Sequence, residues 1–391
     1  MKITHIHIER FRGFQNEDFE VGSLLTAIAG QNGTQKSTLL GIITQTFTLK
    51  TEDSMRVEKP LCGGSYISAF KDKFRLSPTF DKPKGHEWTI SFDAGMDDFT
   101  VESIKRTGDP NVRFWKKGAR QEGDGYISFP TIFLSLKRLV PVAEEAKIIT
   151  DDTLLTQEEL NEFKQLHNKI LIAQTPISSA TTITSKNKQS IGVSTELYDW
   201  NQNSMGQDNL GKIILALFSF KRLHDKYPRQ YKGGILAIDE MDATMYPASQ
   251  VELLKVLRKY ASKLNLQILF TTHSMSLLKA MDDLVQEVTK KEETANQAKI
   301  LYLKKVDDKI AIKQGVNFKG IQLDLNVVAE GNNRKKNRIT AYTEDKENIL
   351  FVKAILKSKA FVLDFVDVTL PCSTLMELVT KSCLLYTSDA A

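Results

Sequence analysis

The apolar positions of this chain follow two rhythms. Near the start, Ile3, Ile6 and Ile8 mark a strand-like segment, and Leu24-Leu25-Thr26-Ala27-Ile28-Ala29 runs unbroken into Gly30-Gln31-Asn32-Gly33. An unbroken run suits a strand buried on both faces, so the prediction is a strand followed by a glycine-rich loop. Leu39-Leu40-Gly41-Ile42-Ile43 then opens a buried helix. From about 86 to 135 the pattern alternates through Trp88/Ile90/Phe92, Phe99/Val101, Tyr126-Ile127-Ser128-Phe129 and Ile132-Phe133-Leu134. That spacing predicts an antiparallel β lobe attached to the first strand-loop-helix unit.

Farther on, the period lengthens. Thr156-Gln157-Glu158-Glu159 is a capping-box pattern, and Leu160, Phe163, His167 and Ile170 follow at helical spacing. Together they predict a helix over about 157–172. The Ser/Thr-rich stretch from Thr175 to Thr195 reads as an irregular or extended connection. A second helix is predicted from about Gln207 to Leu223, with Leu210, Ile214, Leu217 and Lys221 on one face. Two apolar runs, Gly234–Ile238 and Leu266–Phe270, enclose the helical Val251–Leu257, which is the grammar of a buried parallel sheet. Lys299–Leu303 and Lys309–Ile312 flank Val306-Asp307-Asp308 as a closing hairpin.

The 391 residues suggest two or three structural units at about 150 residues each. With 41% hydrophobic and 26% charged residues, disordered and collagen-like chains are excluded. A net charge of +5 permits a phosphate-bearing partner without demanding one. Cys62, Cys372 and Cys383 lack metal-ligand spacing and build no disulfide framework. No run reaches the ~18 apolar residues of a membrane span, and the start lacks a signal-peptide centre, so a cytoplasmic chain without a membrane partner is expected. The last nine residues, Cys383 to Ala391, read as one frame of a transposon-end sequencing adapter. On that reading the natural chain continues past about Ser382.

Four stretches carry candidate chemistry. Gly30-Gln31-Asn32-Gly33-Thr34-Gln35-Lys36-Ser37 fits GxxxxGK[ST] except at Gln35, which stands where the second glycine belongs. Such a loop aims backbone N–H groups at phosphates, Lys36 reaches the outer phosphates, and Ser37 offers a hydroxyl to Mg²⁺. Ile235-Leu236-Ala237-Ile238-Asp239-Glu240 puts two acids at the end of a parallel strand, where ligands gather in open α/β sheets. There Asp239 would hold Mg²⁺ through water, and Glu240 would orient or deprotonate an attacking water. His273, just past the strand ending in Thr271-Thr272, can hydrogen-bond a γ-phosphate. Ser204-Met205-Gly206-Gln207 opens a helix and suits a second phosphate clamp, although the same residues would serve as a plain helix cap.

In that order the four stretches resemble ABC-type ATPase heads, with Ser204-Met205-Gly206-Gln207 matching the signature LSGGQ less one glycine. Ile8-Glu9-Arg10-Phe11-Arg12-Gly13-Phe14 resembles the "FRGF" element that opens the RecF/SMC-like branch. Asp239-Glu240-Met241-Asp242-Ala243-Thr244-Met245-Tyr246-Pro247 is similar to the "DExExxLHP" stretch of OLD nucleases and Septu-type PtuA ATPases. The resemblance covers about residues 1–315 and implies an α/β P-loop NTPase with a mainly parallel central sheet, an antiparallel β lobe and a helical insertion at about 141–195. It further implies ATP and Mg²⁺ as ligands. Lys36, Glu240 and His273 would be the catalytic residues, Ser37 and Asp239 the metal ligands, and Gly30, Asn32, Gly33, Lys36, Ser37 and Thr38 the nucleotide cradle.

Heads of this kind pair head to tail, so the resemblance implies a homodimer or higher oligomer in which Ser204, Gly206 and Gln207 act on the partner copy's nucleotide. A nuclease in cis or in trans, and DNA, are the further partners implied. A RecF/SMC-like DNA-repair ATPase is the alternative. Gln35 is the departure: a side chain there costs roughly 1–3 kcal/mol, enough to slow turnover ten- to hundredfold. Slow ATP turnover with binding intact is therefore expected.

The head is assigned residues 1–330. Residues 331–382 then read as the start of a TOPRIM-like or PtuA-like segment. Within it, Asn333-Arg334-Lys335-Lys336-Asn337-Arg338 is a basic linker, and Ile339–Thr343 is a strand leading to Glu344 and a helix. Glu344 matches the opening TOPRIM glutamate, but Asp345 replaces the usual glycine, and Asp364 and Asp367 have the wrong spacing for its later acids. No autonomous nuclease activity is expected.

Overall fold

The computed structural model describes residues 1–66, 73–93, 95–105, 112–118, 125–139, 148–151, 154–185, 189–330, 339–357, 360, 363–369 and 371–380. The chain divides into two compact units, 1–322 and 323–391.

The first unit is built on two sheets. One is antiparallel: β1 (Ile3–Phe11) lies between β2 (Phe14–Glu20) and β5 (Glu87–Phe92), and β6 (Phe99–Lys105) and β7 (Val112–Lys116) follow. This is the predicted lobe. Alternation along β1 and β5 turns Ile6, Ile8, Trp88 and Ile90 inward, all fully buried. Arg12-Gly13 make the tight turn between β1 and β2, across which Phe11 pairs with Phe14.

The other sheet has the order β16-β15-β3-β14-β13-β9. Its strands are β3 (Leu25–Gly30), β9 (Thr131–Leu134), β13 (Gly234–Ile238), β14 (Leu266–Thr272), β15 (Ala298–Val306) and β16 (Lys309–Gln314). All neighbours are parallel except β15 and β16, which form the predicted closing hairpin. The apolar runs of β3, β13 and β14 are buried along their whole length, as the interior of a parallel sheet covered on both faces requires. The mainly parallel sheet is thus as expected from sequence. Two placements differ. Ile132-Phe133-Leu134 belongs to this sheet, beside β13, and not to the antiparallel lobe. Ile127 and Ser128 form β8 (Ile127–Ser128), which pairs in parallel with β4 (Phe47–Thr48) just past the loop helix.

Helices α1 (Lys36–Thr44), α3 (Met205–Lys226), α4 (Pro247–Lys263) and α5 (Met275–Val288) cover this sheet. The insertion carries α2 (Gln157–Leu171), whose Thr156/Glu159 capping box is present as predicted. Glu159 also binds Arg222 of α3 at 2.6 Å, fixing α2 on the longer helix. The Ser/Thr-rich stretch is not irregular: β11 (Ser179–Thr184) and β12 (Gln189–Ser194) form an antiparallel hairpin that joins β10 (Ile149–Asp151) in a three-stranded sheet. Threonine is β-branched and suits a pleated surface, while Ile183, Ile191 and Val193 supply the buried side. Residues 141–147 of the expected insertion lie outside the described residues.

In the second unit β17 (Ile339–Thr343) and β18 (Leu363–Thr369) pair in parallel. Helix α6 (Phe318–Glu330) precedes β17 in the chain, α7 (Lys346–Leu356) connects the two strands and α8 (Cys372–Thr380) follows. Asp345 caps α7, accepting from Asn348 N at 2.8 Å, which accounts for an aspartate directly after Glu344. The basic run 333–338 and the tail 383–391 lie outside the described residues. Among the described residues no helix is long and apolar enough to cross a membrane.

Candidate active site

Because β3, β13 and β14 run parallel and adjacent, their C-terminal ends meet at one edge of the sheet, bringing Gly30, Asp239 and His273 to the same place. A cleft of about 270 Å³ opens there. It is lined by Asn32, Gly33, Gln35, Lys36, Ser37, Thr38, Glu240, Thr271 and His273.

The loop folds as its glycines dictate. Gly30 has φ 151 and Gly33 φ 80. A Cβ at Gly30 would come within 2.4 Å of Leu303 O, whereas Gly33 faces open space, leaving its backbone approachable. Gln35 has φ 62 and ψ 33, the left-handed conformation expected of the missing glycine. Its carbonyl accepts from Leu39 N at 3.0 Å and so starts α1, but its side chain gives the helix no cap. The strain inferred from sequence is therefore present. The amide is turned from the loop toward Gly13, where an added Cβ would meet Gln35 Nε2 at 2.8 Å.

Lys36 is buried, and its Nζ donates to Gly30 O at 3.1 Å and Gln31 O at 2.9 Å. Burial lowers its pKa, opposed by Glu240, Asp239 and Asp242. Ser37 Oγ donates to Asp239 Oδ1 at 2.8 Å, and Thr271 Oγ1 donates to the same oxygen at 2.7 Å. A hydroxyl and a carboxylate held together in this way are hard oxygen donors of the kind that bind Mg²⁺ alongside phosphates. With an approachable loop and a lysine beside it, the residues present fit a magnesium nucleotide.

Glu240 also has a left-handed backbone, φ 50. Its N–H donates to Thr271 Oγ1 at 2.6 Å, and its carbonyl accepts from Arg138 Nη2 at 2.8 Å. His273 N donates to Asp242 Oδ1 at 3.3 Å. Burial and then Lys36 lower the His273 pKa, with Asp242, Glu240 and Asp239 opposing, so the ring is held neutral near pH 7.

Ser204, Gly206 and Gln207 do not line this cleft. They form a complete capping box on α3: Ser204 N donates to Gln207 Oε1 at 2.9 Å and Gln207 N to Ser204 Oγ at 3.4 Å. Gly206 lies against the turn after β13, where a Cβ would meet Thr244 O at 2.4 Å. Around this helix end Met205, Leu197 and Tyr246 are exposed at 41%, 80% and 81%.

Sequence reasoning missed Thr271, Arg138 and Asn209, and Arg12 as a neighbour of the loop. Arg12 forks onto Asp81 at 3.0 and 2.9 Å and places Nη1 at 3.4 Å from Thr38 Oγ1. Asp81 is buried, which by itself raises its pKa, but Arg12, Ser77 N and His86 bring it down to about 2. Only the "FRGF" pattern offered a signal for Arg12. Arg138, in Leu136-Lys137-Arg138-Leu139, reads like any surface cation yet is buried.

Comparison with known proteins gives a partial family match. Residues 137–278 match the family described as AAA ATPase domain. The comparison with curated proteins returns no match. Among solved structures, the SMC head domain from Thermotoga maritima aligns at 14% identity and TM-score 0.44, covering 81% of this chain and all of that one. An SMC head bound to the C-terminal winged-helix domain of ScpA aligns at 13% identity and TM-score 0.47, covering 82% and 100%. A Pyrococcus furiosus SMC head with an extended coiled coil, bound to the C-terminal domain of ScpA, aligns at 13% and 0.44, covering 84% and 99%. The chain has a mixed α/β P-loop NTPase fold, and the stretch carrying Ser204, Asp239, Glu240 and His273 is similar to AAA-type ATPase domains.

Proposed function

We propose that this chain binds Mg·ATP in the cleft at the edge of the parallel sheet and hydrolyses it slowly. The observation that carries this reading is the convergence of Lys36, Ser37, Glu240 and His273 on one cleft, with Asp239 bonded to Ser37. Lys36 would turn its amine from the loop carbonyls to the outer phosphates. Ser37 and Asp239 would hold Mg²⁺, which when bound neutralises phosphate charge. Glu240 would orient water, and neutral His273 would donate a hydrogen bond to the outermost phosphate. By the resemblance to heads that pair head to tail, Ser204, Gly206 and Gln207 would complete a second copy's site, and the apolar side chains exposed around that helix end leave room for it.

Phosphate release by the wild type and by Glu240→Gln tests the catalytic part. Binding by both with release by the wild type alone is expected; no Mg·ATP binding by either would sink it.

At a finer level, we assign the ATPase to a prokaryotic antiphage system in which it controls a nuclease. The support is the resemblance of Asp239–Pro247 to the corresponding stretch of OLD and PtuA proteins, within the RecF/SMC-like branch that the "FRGF" element resembles. Cells carrying the gene with its genomic neighbours should resist phage and lose that resistance with Lys36→Ala; equal plating efficiency with and without the intact chain would overturn the assignment. The chain by itself is expected to cut no DNA, and metal-dependent cutting abolished by Glu344→Ala would contradict this.

A further inference from the structure

The turn after β13 is gripped by the first two turns of α3 and by Arg138, in the short turn Leu136–Leu139 that follows β9. Glu240 O accepts from Arg138 Nη2 at 2.8 Å, Ala243 O accepts from Asn209 Nδ2 at 3.0 Å, and Thr244 O lies directly over Gly206. Asn209 and Arg138 are joined to each other, Arg138 Nε donating to Asn209 Oδ1 at 2.7 Å. The remaining arm of the guanidinium, Nη1, donates to Leu134 O at 3.3 Å and Ser135 O at 3.1 Å, at the end of β9.

Arg138 is thus a buried cation, 2% exposed, whose hydrogen bonds among the described residues go to uncharged oxygens, with the charges of Asp239, Glu240 and Asp242 nearby. Burying a charge is expensive even with acids nearby, and those acids account for the charge but not for the shape of the group. What only a rigid planar fork supplies is simultaneous direction toward three elements. One of those directions ends on the carbonyl of Glu240, whose left-handed backbone stays in place only while its surroundings hold it.

We infer that Arg138 and Asn209 are positioning residues that tie the N-terminal end of α3 to Glu240 in the same chain. Docking of the Ser204–Gln207 end on a second copy then sets the orientation of that chain's own water-activating carboxylate. A chain whose helix end is undocked holds its nucleotide without hydrolysing it. This inference rests on the ATPase reading above and adds to it a direction of communication, from the helix end to the strand end.

The test uses the full chain, fluorescent-nucleotide affinity, ATP-driven pairing by light scattering, and phosphate release across a range of protein concentrations. Wild-type turnover per chain should climb with concentration as copies pair. Asn209→Ala should keep Mg·ATP affinity within about threefold and pair normally, yet lose at least about tenfold in kcat and show no climb. Arg138→Lys, which keeps the charge and loses the fork, should behave the same way. The double variant should be no slower than the slower single one, since both residues act through one chain of contacts.

Wild-type kcat in Asn209→Ala or Arg138→Lys would overturn the inference, as would a loss of turnover that follows a matching loss of affinity or pairing. If Arg138→Lys does not fold, Asn209→Ala decides by itself. A wild type that binds Mg·ATP without turnover at any concentration sinks the ATPase reading and this inference together, whereas an active wild type with unaltered variants sinks this inference alone.

Discussion

At the P-loop end, a polar cleft rests on buried apolar structure: β3 is buried throughout, and Leu39, Leu40, Ile42 and Ile43 of α1 are fully buried beneath the loop. The backbone there is strained at Gln35 and Glu240 and held by bonds to Leu39, Thr271 and Arg138. At the other end, Ser204-Met205-Gly206-Gln207 is relaxed, its cap satisfied from within and its surroundings exposed. On the proposed reading, one half of the site is therefore preformed inside the chain and the other is displayed on its surface. The difference teaches where energy is stored: strain sits in the backbone at the strand ends, beside the cleft, while the helix end satisfies its own cap and would, on the proposed reading, engage a second copy.

Lys36→Ala should break the preformed half most severely. The amine carries the positive charge nearest the phosphate cradle, and charge-assisted bonds to phosphate are strong. Mg·ATP affinity should fall about a thousandfold, about 4 kcal/mol, as read by nucleotide titration. The capping box of α3 is built without Lys36 and should persist, while loss of the bonds to Gly30 O and Gln31 O should lower thermal stability modestly.

The helix half has a different weakness. His167 of α2 is buried, and burial lowers its pKa to about 4, with Asn168 opposing. The folded-state value lies below the ordinary 6.5, so the contribution is fully present above pH 6.5 and is lost as pH falls through about 4. The full loss is on the order of 3 kcal/mol. Since α2 braces α3 through Glu159 and Arg222, acid acting on His167 should loosen the helix half. Chemical denaturation between pH 7 and 4 should show this slope, and His167→Phe should flatten it; an unchanged slope would dissociate His167 from the acid limb.

Much of this division was legible in the sequence. Unbroken apolar runs fixed β3, β13 and β14 and so the edge where Lys36, Asp239 and His273 meet, because continuous burial leaves a local mark. The strand at Thr131–Leu134 was legible as a strand but not as a neighbour of β13, since sheet membership depends on partners more than 100 residues away. The hairpin at 179–194 was hidden by Ser/Thr composition, with only three buried aliphatics to mark it. Arg138 and Asn209 left no mark, because a buried fork and a surface cation look alike until the carbonyls they meet are in place.

Gln35→Gly would sharpen the comparison from the strained side. Glycine adopts φ 62 without steric cost, so the substitution should recover about 1–2 kcal/mol of local strain, less the entropy that glycine adds to the unfolded chain. Most of the gain should appear as tighter Mg·ATP binding or faster release of phosphate, up to about tenfold, with a smaller rise in melting temperature. A variant slower than wild type would mean that the Gln35 amide against Gly13 contributes more to the loop than its backbone costs.

Ser204→Ala probes the relaxed side and should have the smallest effect on the folded chain. Removing the hydroxyl takes away the longer of the two bonds made by Gln207 N, the Ser204 carbonyl still accepting at 3.0 Å, and costs at most about 1 kcal/mol of stability. Mg·ATP affinity of the isolated chain should be unaltered, because Ser204 does not line its own cleft. Turnover at concentrations where copies pair should fall further than the stability change explains, since the same hydroxyl would then face the partner's phosphates. Equal fractional losses of turnover and stability at every concentration would reduce Ser204 to a helix cap and would leave α3 without its second use.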